Sequence, residues 1–192
     1  MKSKPAVTKK ASKRRGRDSH QALLSASGKL KTIKRSGWLK KVGIDEECES
    51  VADHSFRVAL LGACLAEEYG LDSGKVARMC LLHDLAEAYT GDVMPEEKKS
   101  ENGHRSNEDR AMLTILDSLP DKTRKRFCSD WKELLARATS ESKLVWQVDK
   151  LEMGLQRKEY FKMGYDPQKL KQFDPSHILS PKLRKLLRSY KP

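Results

Sequence analysis

Two histidines and two aspartates stand where helices should be burying apolar groups. His54 falls on one stripe with Val51, Val58, Leu61 and Leu65, and His83 on another with Val76, Met79 and Cys80. Asp84 follows His83 directly, and Asp149 lies beside Val145, Trp146 and Met153. Each has an ordinary explanation when taken alone. A single inward histidine is most often a hydrogen-bonded core residue, and a single inward aspartate is usually paired with Arg or Lys. Burying an unpaired carboxylate is expensive, however, and here several groups need satisfying at once. One divalent cation satisfies them together. Imidazole nitrogen combined with carboxylate oxygen suits Mn, Co, Fe, Zn or Ni, and Mg is also compatible. His54, His83, Asp84 and Asp149 are therefore the candidate metal ligands.

Local spacing sharpens this reading. Adjacent residues lie about 100° apart around a helix axis, so His83 and Asp84 can both reach an ion over the groove between them. Glu87 is one turn further along the face of His83, and Asp92 follows Gly91 just beyond. The plain alternative is an exposed acidic helix end that happens to contain a histidine. The chemistry suited to such a cluster is phosphate-ester hydrolysis. A phosphate monoester resists attack because its charge repels a nucleophile; a divalent cation lowers the pKa of water and neutralises charge on the phosphoryl oxygens. A guanidinium such as Arg35 or Arg57 can grip the phosphate with two parallel hydrogen bonds. Arg57, three residues after His54, could instead pair with Glu49 or Asp53.

The elements that must position these groups read as helices throughout. Strand signals are scarce, whereas helical spacing recurs. A first helix is expected over 21–36, broken at Gly37, with a loop through Val42, Gly43, Ile44 and Asp45. Ser50 can cap a second helix that runs to Tyr69 and stops at Gly70. Ser73 can cap a third that reaches Tyr89 and stops before Gly91. A Lys- and Glu-rich connection over 95–103 reads as a mobile loop. Further helices are expected over 106–118, 122–138, 140–163 and 181–190. The expected fold is all-α, a compact single-domain helical bundle.

Composition bounds the rest. The chain has 192 residues, 38% hydrophobic and 34% charged, which suits one domain with one core. Its formal net charge is +12, and residues 1–17 hold eight lysines and arginines with no acid. We read residues 1–20 as a basic disordered tail and 21–192 as the domain. Such a tail is a solubilising extension, or makes weak, sequence-independent contact with nucleic acid. The longest apolar stretch, from Val58 to Ala66, is too short to cross a bilayer, and no apolar segment follows the basic N-terminus as in a secretory signal. These features suggest an intracellular, cytoplasmic protein. The cysteines, Cys48, Cys64, Cys80 and Cys128, show no paired spacing. Cys64 and Cys80 sit in apolar helical runs, where a free thiol behaves as a small hydrophobe.

The sequence His54 … His83-Asp84 … Asp149 resembles the HD superfamily of metal-dependent phosphohydrolases. The fuller match is to its 5′-deoxynucleotidase branch, which includes the bacterial YfbR-type enzymes and the HD-domain-containing protein 2 group. It rests on Lys34-Arg35-Ser36-Gly37-Trp38, on the run from Glu49 to Arg57, on Leu82-His83-Asp84-Leu85-Ala86-Glu87, on Thr90-Gly91-Asp92, and on the run from Lys143 to Met153. The similarity extends from about Leu30 to Gly164 and leaves out the tail. It implies a compact helical fold, a homodimer, a divalent metal (often Co or Mn), and hydrolysis of deoxyribonucleoside 5′-monophosphates to nucleoside and phosphate. By motif position it makes His54, His83, Asp84 and Asp149 the metal ligands. Glu87 would orient the attacking water or exchange protons, Asp92 would assist, Arg35 would bind phosphate and Trp38 would lie near the sugar. One departure is that other members place Arg and Trp side by side, whereas two residues separate Arg35 from Trp38. Other HD phosphohydrolases fit less well. Guanosine tetraphosphate hydrolases carry Glu-Asp after His-Asp, where this chain has Glu87-Ala88. Gly164-Tyr165-Asp166-Pro167 is not the Gly-Tyr-Pro signature of the cyclic-dinucleotide enzymes. An alternative of another class is a nucleic-acid-binding protein that uses the tail, with the HD core as scaffold.

Overall fold

A computed structural model describes residues 20–94, 96–97 and 104–192. The basic tail and most of the expected 95–103 loop lie outside the described residues. The described part is helical: α1 (Gln21–Lys29), a π-helical turn (Trp38–Val42), α2 (Val51–Tyr69), α3 (Ser73–Leu82), α4 (Glu87–Thr90), α5 (His104–Leu116), α6 (Asp121–Ala136), α7 (Ser140–Lys162), α8 (Pro167–Lys171) and α9 (Pro181–Ser189). No strand runs through it; a single antiparallel bridge joins Lys34 to Ser50.

That bridge explains why the first helix stops early, at Lys29 rather than the expected Ser36. The first N–H groups of any helix lack intrahelical partners. Here the chain after α1 runs extended beside the start of α2 and supplies them. Val51 N donates to Ile33 O at 2.8 Å, and Ala52 N to Leu30 O at 3.2 Å. Arg35 N donates back to Glu49 O at 3.0 Å. This pairing fixes Arg35 close to the α2 N-terminus. Ser50 caps α2 as its sequence indicates: its Oγ accepts from Asp53 N, while Asp53 Oδ2 accepts from Ser50 N.

The third helix also differs from expectation. Asp72, not Ser73, is its cap, accepting from Lys75 N at 2.8 Å. It ends at Leu82 instead of continuing to Tyr89. The His83 Nδ1 lies 2.5 Å from Cys80 O, the carbonyl that an uninterrupted helix would offer to Asp84 N. The backbone tightens into three-residue turns, Leu85 N to Leu82 O and Glu87 N to Asp84 O. It resumes as α4 and stops at Gly91, whose φ of 74° suits glycine alone. α8 was not anticipated from the sequence.

Helices α2, α3, α7 and α9 share one core, built around Val58, Leu65, Met79, Val148 and Leu151. Gly62 allows α2 and α3 to close on each other, since a Cβ there would sit 2.6 Å from Cys80 Sγ. A second core joins α1, α5 and α6 to the turn after α3. A third, smaller one packs Trp38, Val42, Ile44, Tyr160 and Leu170. All four cysteines are free thiols. Cys80 is buried, but Cys64 points outward from α2, contrary to the expected core role. The site lies between the first two cores, where α2, the end of α3 and α7 meet.

Candidate metal centre

Four side chains from three separate segments converge there. His54 comes from the middle of α2, His83 and Asp84 from the turn ending α3, and Asp149 from α7. His54 Nε2 lies 3.2 Å from His83 Nε2, 3.6 Å from Asp84 Oδ2 and 3.4 Å from Asp149 Oδ1. His83 Nε2 lies 3.2 Å from Asp84 Oδ2. Ligand atoms of His54, His83 and Asp149 all fall within 4.8 Å of one another. A divalent ion bonded at ~2.1 Å to each ligand holds neighbouring ligand atoms roughly 3–4 Å apart. The donor types and their spacing therefore fit such an ion.

The imidazoles are held by their other nitrogens. His54 is fully buried, and its Nδ1 lies 2.5 Å from Glu152 Oε2. His83 Nδ1 engages Cys80 O. Both arrangements leave Nε2 directed at the common point, as metal-binding histidines require. Glu152, one turn beyond Asp149 on α7, is itself completely buried. Its Oε1 accepts from Arg57 Nε at 2.9 Å and from Arg57 Nη2 at 2.7 Å. Arg57 also donates to Glu159 and Gln156, each at 2.6 Å. Its partners are thus on α7, not Glu49 or Asp53, and it does not line the cleft described below.

The electrostatics follow from this crowding. Burial and the Arg35 charge push the His54 imidazole down, but Glu152 and Asp149 outweigh them and raise it to about 10. Burial alone would raise the carboxyls of Asp84 and Asp149. Neighbouring cations instead hold both well below the usual range, His83 and Arg35 acting on Asp84, and Lys150 and His54 on Asp149. Glu49, buried and near Glu152, is raised to about 7.

Beside this point opens a cleft of about 380 Å³, with Arg35, Trp38, Asp92 and Lys150 among its lining residues. Arg35 Nη1 donates to Asp84 Oδ2 at 3.1 Å and lies 3.6 Å from Asp92 Oδ1. Asp92 Oδ2 in turn accepts from Ser36 N at 2.6 Å. Glu87 is buried, and its charge bears on Arg35 together with those of Asp84 and Asp92. Trp38 Nε1 donates to Glu49 Oε1 at 2.7 Å, and its ring packs on Phe173 with centroids 4.2 Å apart. A smaller cavity of about 240 Å³ reaches His83, Asp84 and Asp149 from the side of α6. Of the residues singled out from sequence, only Arg57 is drawn away from this assembly. Sequence reasoning missed Glu152 and Lys150 as site residues. The available signal for Glu152 was its place three residues after Asp149, since an acid at that helical spacing faces the same way as a buried ligand; Lys150 was marked only by adjoining Asp149.

A helical bundle aiming two imidazoles and two carboxylates at one point, with a half-buried guanidinium in the adjoining cleft, defines a metal-dependent phosphohydrolase. The HD domain pattern matches residues 27–187, and the chain belongs to this family. Among its relatives, the human 5′-deoxynucleotidase HDDC2 is 32% identical over 146 residues, covering 76% of this chain and 70% of that protein. The protein of the same name from Dictyostelium discoideum is 38% identical over 145 residues, covering 72% and 75%. Among solved structures, a conserved hypothetical protein from Pyrococcus furiosus superposes with a TM-score of 0.69 at 30% identity, covering 88% of this chain and 99% of that one. A predicted metal-dependent phosphohydrolase from Magnetospirillum magnetotacticum gives 0.65 at 27% identity, covering 88% and 89%.

Proposed function

We propose that this chain hydrolyses deoxyribonucleoside 5′-monophosphates to nucleoside and phosphate, with a divalent metal held by His54, His83, Asp84 and Asp149. The observation that carries the reading is the convergence of those four side chains at the edge of a cleft walled by Arg35 and Trp38. The relatives named 5′-deoxynucleotidase supply the substrate class.

When bound, the metal supplies Lewis-acid stabilisation of the phosphoryl charge and acidifies water. The protein's own groups do the rest. Arg35 grips the phosphate, since its guanidinium fork matches two phosphoryl oxygens. Asp92 holds the backbone at Ser36 and the Arg35 head group, and so sets the direction of that fork. Glu87 orients the attacking water and accepts its proton. Trp38, fixed by Glu49 and Phe173 and almost wholly buried, backs the part of the cleft that would receive the sugar. Arg57 acts at a distance, holding Glu152 against His54.

The metal is one of Co, Mn, Mg, Zn, Ni or Fe; the mixed nitrogen and oxygen donors are compatible with each. We also infer a homodimer and a cytoplasmic location, together with weak nucleic-acid contact through residues 1–17. The resemblance to the 5′-deoxynucleotidase branch supports the dimer. The tail's charge supports the nucleic-acid contact, and among the described residues no helix is long and apolar enough to cross a membrane. Phosphate release from dAMP, AMP and dTMP, measured colorimetrically with and without Mn or Co, tests the activity. Release that requires the metal bears the proposal out. No release from any of the three under any metal condition would overturn it, and turnover of a cyclic nucleotide or guanosine tetraphosphate instead would move the chain to another branch.

A further inference from the structure

The cleft carries a second cation that the reading above does not use. Lys150 follows the ligand Asp149 on α7 and lines the same cleft as Arg35. Its Nζ lies 3.0 Å from Asp149 Oδ2, and its side chain is about one-third exposed, at 30%. The other cations of the cleft have acids of their own. Lys41 pairs with Glu96 at 2.9 Å, and Arg35 is shared between Asp84 and Asp92. Arg35 keeps Asp92 even when Asp84 holds the metal, whereas the acid that Lys150 pairs with, Asp149, is itself placed to hold the metal.

A divalent ion on Asp149 would put a second positive charge beside the ammonium. Lysine is a point charge on a flexible four-carbon stem. It can leave a carboxylate whose charge has been neutralised and turn toward an anion in the cleft. We propose that Lys150 is a phosphate-binding residue, held on Asp149 in the absence of metal and handed to the substrate's phosphoryl group when metal takes that carboxylate. The inference rests on the proposed phosphohydrolase reading and adds a second anchor, on the α7 wall, to the Arg35 anchor on the wall before the π-helical turn. Two cations on different walls suit a dianionic monoester better than one. They also make metal binding and phosphate binding cooperative, because each removes a charge conflict left by the other.

This makes a two-sided prediction. Replacing Lys150 with methionine keeps the stem and deletes the charge. Lys150→Met should then bind Mn²⁺ several-fold more tightly in calorimetric titration, because no ammonium competes for Asp149. The Mn-loaded variant should bind inorganic phosphate roughly ten- to a hundredfold more weakly, the range expected for losing one charged hydrogen bond. KM for dAMP should rise in parallel. Lys150→Arg should recover most of the phosphate affinity. A general loss of structure would weaken metal and phosphate binding alike; opposite movement of the two is specific to a shared charge. Unchanged or weaker Mn²⁺ binding, or undiminished phosphate affinity, in Lys150→Met overturns the assignment. If the wild-type chain fails to hydrolyse dAMP while metal and phosphate affinities still move in opposite directions, the nucleotidase reading falls and the Lys150 assignment stands.

Discussion

His54 is gripped at both nitrogens. Nε2 faces three metal-ligand candidates, and Nδ1 faces Glu152, which is locked in turn by Arg57. Carboxylates in this position typically contribute 10–100-fold to metal affinity. Glu152→Gln should therefore weaken Mn²⁺ binding by about that factor, read by calorimetry; an unchanged affinity would show that Glu152 is merely a buried partner. The proposed ligands and the proposed water-orienting group should separate cleanly. Asp149→Ala should lose metal and turnover together, whereas Glu87→Ala should keep the metal and lose turnover. Normal dAMP hydrolysis by Glu87→Ala would remove that residue from the chemistry. The raised His54 also predicts a pH dependence. A group lifted to about 10 is protonated at neutral pH, so a metal must displace that proton to reach Nε2. Apparent metal affinity should strengthen as pH rises from 6 toward 9. Uptake at pH 7 should release a proton, visible as different calorimetric heats in buffers of different ionisation enthalpy.

At the scale of elements, the sequence was informative where local bonding decides and silent where distant partners do. The α2 boundaries were legible because Ser50, Asp53 and Gly70 act within one turn of themselves. The end of α3 was not, because what interrupts it is the His83 side chain engaging Cys80 O in a pose set by the centre. The end of α1 was missed for a similar reason. Residues 30–35 have adequate helical patterning but serve the unpaired donors of α2, twenty residues away. Among site residues, His54, His83, Asp84 and Asp149 stood out as polar groups on apolar stripes. Arg57 looked the same as Arg35 in sequence, and only packing shows that one faces α7 and the other the cleft. One element-level test concerns α7, where a Cβ on Gly154 would lie 2.8 Å from Pro175 Cγ and 3.0 Å from Leu187 Cδ2. Gly154→Ala should cost about 1–3 kcal/mol by overpacking against the C-terminal segment, seen as a lower thermal midpoint. Little change in Mn²⁺ affinity is expected, since the ligands sit on other faces. Equal stability would mean that the segment yields freely.

For the whole molecule, a metal held by these four side chains would cross-link α2, the turn after α3, and α7, adding to their packing and to the His54 and Arg57 bridges between α2 and α7. A ligand present at a hundred times its Kd stabilises the folded state by about 2.7 kcal/mol, roughly 5–10 °C in a chain of this size. Adding Mn²⁺ to chelator-treated protein should raise the melting midpoint by about this amount; no shift would show that the four side chains do not bind it. The charge distribution makes a separate prediction. Eight of the basic residues lie in residues 1–17, far in sequence from every ligand. Deleting residues 1–19 should leave kcat and KM for dAMP unchanged, while any affinity for nucleic acid at low salt should fall.

The turn from Trp38 to Val42 is wound as a π-helix, with Gly43 N and Ile44 N both donating to Trp38 O. Such a turn accommodates one more residue than α winding does. The rim of the cleft therefore contains slack of a single amino acid. Removing one residue from this loop of chain could be absorbed by tighter coiling, leaving Arg35 and Ile44 anchored while Lys40 and Lys41 swing to new bearings about the axis. Shortening the backbone, with no side chain exchanged, is thus a direct way to reshape the entrance that a nucleotide must pass.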